Sequence, residues 1–70
     1  MNDKDRSTLV FLLGAIERTP QIAADLLALA VLIHPKSEDF LDVCHTLQAL
    51  LGDETALLNK TRELRSKYHG

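Results

Sequence analysis

The side chains with chemical potential in this chain form a few small groups, the first being Cys44-His45 with His34 upstream. A cysteine beside a histidine can make an activated thiolate or a pair of metal ligands. On a helix, however, neighbouring residues point about 100° apart, so Cys44 and His45 do not turn toward one ligand. Their spacing also fits no zinc-binding pattern. Cys44 is therefore expected to be a buried, inert thiol acting as a small hydrophobe. His34 directly precedes Pro35, where an imidazolium could cap the end of a helix.

The carboxylates Glu38, Asp39 and Asp42 could serve general acid–base chemistry, but no second constellation accompanies them, and helix capping accounts for the first two. Asp25 stands alone in an apolar stretch and is expected to face water, because aspartate is almost never buried unpaired. The glycines are Gly14, Gly52 and Gly70, too dispersed for a phosphate-cradling loop. These residues lead to no enzyme, metal or cofactor assignment. The basic set Lys60, Arg62, Arg65 and Lys67 could lie on phosphates. Glu63 interrupts it, and no aromatic interleaves it before Tyr68. The segment after Thr19 also lacks the glycine turn of a helix-turn-helix.

These groups must be carried by helices. Hydrophobic residues make up 46% of the chain and aromatic ones 4%, so its apolar mass is chiefly Leu, Ala, Ile and Val, a composition that favours helices over strands. A first helix is expected to open at Asp3, Asp5 or Ser7 and to run through Leu9–Leu13 to Glu17-Arg18, with Gly14 marking a close approach to the second helix. Thr19 as N-cap and Pro20 in the first turn open that second helix. It continues from Ile22 to Ile33, apolar on nearly every face, and stops before Pro35. Ser37, followed by Glu38 and Asp39, starts a third helix, in which Phe40, Val43, Cys44, Leu47, Leu50 and Leu51 form the apolar stripe. Gly52 is placed to end it and Asp53 to cap a fourth, with Leu57, Thr61, Leu64 and Tyr68 in line. The fold class is all-α: four short helices in one domain, 1–70, arranged as two antiparallel αα-hairpins, the first helix with the second and the third with the fourth.

A plan repeats faintly with a period near 35 residues, from Leu12 to Pro35 and from Leu50 to Gly70. Ala23, Leu27, Ala30 and Pro35 in the first unit, and Leu51-Gly52-Asp53 with Ala56 in the second, resemble the tetratricopeptide repeat, a helix–turn–helix unit with small residues on its second helix. The first unit lacks the aromatic and Leu-Gly positions of that pattern, and the second ends in Tyr68-His69-Gly70 without a proline. The resemblance implies a protein-binding helical adaptor or chaperone, of which bacterial type III secretion chaperones are one type.

The composition points the same way. A chain of 70 residues with a single cysteine has no internal disulfide to staple it, and a domain this small has little capacity to bury a helix that is apolar all round. The expectation is a binding module whose partner is another protein or a second copy, docked on Leu26, Leu29, Leu32, Ile33, Phe40 and Leu47. The alternatives are a small dimeric nucleic-acid-associated regulator using Lys60, Arg62, Arg65 and Lys67, and a purely structural oligomer subunit. A net charge of −2 gives no general attraction to nucleic acid or anionic membrane. The run from Ile22 to Ile33 is shorter than the ~20 residues a bilayer span requires, and the mixed charges of Met1–Arg6 read as a cytosolic start, not a secretory signal.

Overall fold

A computed structural model of the chain describes residues 1–33 and 37–69, with nothing stated of the His69 side chain. The first helix, α1, spans Asp3–Arg18. Its N-cap is Asn2, one residue before the earliest expected cap, and the Asn2 side chain accepts a hydrogen bond from the Asp5 N–H at 2.8 Å. Asp3 and Asp5 fall inside the first turn, where their charge suits the helix dipole.

The Thr19-Pro20 boundary is where the residues place it, but the capping differs. Thr19 makes no N-cap bond. Its hydroxyl donates backward to the Ala15 carbonyl at 2.6 Å, closing α1 instead of opening the next helix. Pro20–Ile22 form one 3₁₀ turn, and α2 runs over Ala23–Ile33. The expectations at His34 and Pro35 lie outside the described residues.

Helix α3 covers Glu38–Gln48. The Ser37 hydroxyl accepts from the Phe40 N–H at 3.5 Å, the cap expected there. Gly52 does not act as a left-handed terminator: no glycine among the described residues has positive φ. The chain leaves α3 through tight turns, with Leu50 N–H bonded to the Leu47 carbonyl and Asp53 N–H to the Leu50 carbonyl. Asp53 then caps α4, Glu54–His69, accepting from the Ala56 N–H at 3.1 Å.

The described residues contain helices and no strand. Sequence neighbours do touch, yet the most extensive packing joins α1 to α4, followed by α2 to α3. The two longest helices, α1 and α4 with 16 residues each, thus lie against one another, as do the two shorter ones, α2 and α3 with 11 each. The radius of gyration, 10.8 Å, matches the ~11 Å expected of a closed globule of this size.

Inside lie Leu9, Leu13 and Ile16 from α1, Ala23 and Leu27 from α2, Phe40, Cys44 and Leu47 from α3, and Leu57 and Leu64 from α4. Thr61, also fully buried, donates its hydroxyl to the Leu57 carbonyl at 2.7 Å, so a polar group enters the core already satisfied. The stripe expected on α3 builds the core from Phe40 to Leu47, while Leu50 and Leu51 lie past the helix end and Leu51 is exposed; the α4 stripe builds it from Leu57 to Leu64, with Tyr68 half-buried at its edge.

Candidate interaction site

Six residues were expected to meet a partner, and the structure divides them. Leu29, Leu32 and Ile33 are exposed to 53%, 77% and 58%, large fractions for aliphatic side chains. Leu26 is half-buried at the edge of the core. Phe40 and Leu47 belong to a different environment, both fully buried. They are corrected from partner contacts to core: the amphipathic stripe of α3 is used up in folding, because α1, α2 and α4 all pack around it.

A residue outside that expected set completes the exposed surface. Phe11, on α1, is exposed to 73%. Phe11, Leu12 and Ala15 on one side and Leu26, Leu29, Ala30 and Ile33 on the other line a groove of about 230 Å³ between α1 and α2, with Thr8 at its edge. Among the described residues no charged side chain lines it. Ile22, also exposed, continues the α2 side in sequence, since 22, 26, 29 and 33 share one helical face. The signal for Phe11 was present in the sequence: Leu9, Leu12, Leu13 and Ile16 fill the inward stripe of α1, which leaves Phe11 outside it.

Asp25 is exposed, as expected of an unpaired carboxylate. Cys44 is fully buried and free, and loss of solvation pushes its thiol from 9.0 up to about 11. His45, next to it, is exposed, so the two side chains do not share an environment. Among the described residues no three His, Cys, Asp or Glu side chains gather as a metal site. No described helix is long and apolar enough to cross a membrane.

The basic residues of α4 do not form one patch. Arg62 and Arg65 turn to α1, where Nε of Arg62 lies 3.2 Å and Nη1 of Arg65 2.7 Å from the Glu17 carboxylate. Lys60 and Lys67 line a separate hollow toward α3, beside Asp39 and Asp42. Lys60 also pairs with Glu63 at 3.5 Å, and Lys67 lies 5.3 Å from the Tyr68 ring centre. Four basic residues on one helix are thereby divided between two neighbours, and most of their charge is met by carboxylates of the same chain.

Gly14 also has a different neighbour from the one expected. The close approach is made by Arg18 of the same helix, whose Nη1 would stand 3.3 Å from a Cβ built on Gly14. The cleft above it opens toward α4 and is lined by Val10, Gly14, Glu17, Arg18, Arg62, Arg65 and Ser66.

Compared with known protein families, curated proteins and solved structures, the chain has no significant match.

Proposed function

We propose that the protein is a protein-binding module, an adaptor or chaperone-like subunit that buries the apolar face of α1 and α2 against another polypeptide or a second copy of itself. The observation that carries this reading is the grouping of Phe11, Leu29 and Ile33 around one groove that no charged side chain lines among the described residues, with Leu32 exposed beside it on the same helix. Single exposed apolar residues are ordinary on any surface. Several together on a chain with only 4478 Å² of accessible surface mark an interaction site. A standard interface takes about 800 Å² from each partner, a large share of so small a molecule, so binding would change its solvent balance substantially.

The nucleic-acid alternative gains no support from the divided basic residues of α4, and a cytosolic setting stays part of the proposal. The test is the double variant Phe11→Ser, Leu32→Asp, compared with the unchanged chain by sedimentation over a range of concentrations and by binding of an apolar dye. The parent chain is expected to associate or to bind dye, and the variant to stay folded and do neither. A parent chain that is monomeric at every concentration and binds no dye would overturn the reading.

A further inference from the structure

The apolar groove leaves a second feature unused, the cleft between α1 and α4. It is lined by three arginines and one glutamate, giving a local net charge of +2 on a chain whose overall charge is −2. Its volume of about 690 Å³ falls within the ~300–1,000 Å³ typical of small-molecule sites. Glu17, mostly buried, draws Arg62 and Arg65 together, which fixes two guanidinium groups at one wall. Each guanidinium has five N–H donors, so one carboxylate leaves most of them free. Oε2 of Glu17 receives no hydrogen bond of good geometry and is held by the Arg65 charge alone.

Arg18 supplies the third guanidinium. Among the described residues no carboxylate pairs with it. Gly14 explains its position: glycine in the middle of a helix sacrifices stability relative to alanine, and here the missing side chain lets the Arg18 guanidinium lie over the helix at the cleft. Gly14 is itself buried. The weakest helix-forming residue of α1 thus sits beside a cation that no carboxylate among the described residues neutralises.

We propose that this cleft binds an organic phosphate monoester, its dianion held by Arg18, Arg62, Arg65 and the Ser66 hydroxyl and its organic part resting on Val10. Three guanidinium forks lining one cleft suit the three terminal oxygens of a monoester, since arginine donates to phosphate in bidentate pairs. A dianion balances the cleft's net charge. Beyond the charged groups, the Val10 side chain offers contact to carbon and not to a bare ion.

The experiment titrates the ¹⁵N-labelled full chain with phenyl phosphate, inorganic phosphate and a short single-stranded oligodeoxynucleotide at constant ionic strength, following amide shifts. Phenyl phosphate should give saturable shifts at Gly14, Arg18 and Ser66 and bind more tightly than inorganic phosphate. Its binding should strengthen as pH rises through about 6, where the second phosphate proton leaves. Arg18→Gln should weaken it by about tenfold, the usual loss for one charge-assisted contact, with no change in melting temperature. Gly14→Ala should raise the melting temperature and weaken binding only slightly, because the added methyl group shifts the Arg18 guanidinium by a few tenths of an ångström. Shifts that do not saturate, or that persist unchanged in Arg18→Gln, would overturn the proposal. So would an oligonucleotide, a phosphodiester polyanion, that binds the cleft more tightly than phenyl phosphate.

Discussion

Helices α2 and α3 have the same length, 11 residues, and opposite relations to the fold. In α3 the apolar residues Phe40, Val43, Cys44 and Leu47 are buried, and Asp42, His45 and Thr46 face water. In α2 only Ala23, Leu27 and Ala30 are buried, while Leu29, Leu32 and Ile33 stand exposed. The more hydrophobic helix therefore buries one leucine and two alanines and leaves Leu29, Leu32 and Ile33 outside. Hydrophobicity on α3 is explained by folding; on α2 much of it is not. That surplus is the physical basis for reading α2 as half of a binding surface.

The comparison breaks most sharply at Phe40. Truncating a fully buried phenylalanine typically costs about 3–5 kcal/mol, and a chain of this size has only about 4–10 kcal/mol in total. Phe40→Ala is expected to leave a large unfolded population at 25 °C, visible as loss of helical circular dichroism and a collapse of the urea midpoint. If Phe40→Ala kept most of the parent's stability, α3 would not be the core element described here.

Cys44 gives a second, pH-dependent test of the same helix. Burial holds its thiol neutral, pushing it up from 9.0 to about 11. Between those values the unfolded chain releases a proton that the folded chain keeps, so stability is complete below pH 9 and falls as pH rises toward 11. Two units correspond to about 2–3 kcal/mol. Urea titrations at pH 8 and pH 10.5 should show the decline, and Cys44→Ala should remove that part of it. Alkylation of the folded protein at pH 8 should be slow and become fast in denaturant, since the thiolate is the reactive form.

How much of this was legible beforehand depends on the range of each interaction. The all-α fold, the stripe from Phe40 to Leu47 and the stripe from Leu57 to Tyr68 follow from helical periodicity, a local property. The caps at Ser37 and Asp53 were readable because capping acts within three residues. Thr19 deceived because the same hydroxyl can bond forward or back along the chain, and here it reaches back to Ala15. The expected use of Phe40 and Leu47 at an interface failed because periodicity marks an apolar face without saying which element covers it. The Glu17–Arg62 contact joins residues 45 apart in sequence, and no spacing rule reaches that far. The packing of α1 on α4 that makes the contact, and the cleft above it, were hidden for the same reason.

The smallest expected effect on folding is at Leu32, and it sharpens the comparison from the other side. A side chain 77% exposed has little burial to lose, so Leu32→Ala should change the stability of the monomer by no more than about 0.5 kcal/mol. Association adds a second dependence, because anything that binds only the folded state raises the melting temperature in proportion to the logarithm of its concentration. If a second copy covers this face, the parent's melting temperature should climb with protein concentration, and that of Leu32→Ala should climb less. If another polypeptide covers it, both chains should melt alike when alone, and only the parent should gain stability when that polypeptide is added. A large loss of stability in dilute Leu32→Ala would place the residue in the core after all, and the contrast between α2 and α3 would disappear.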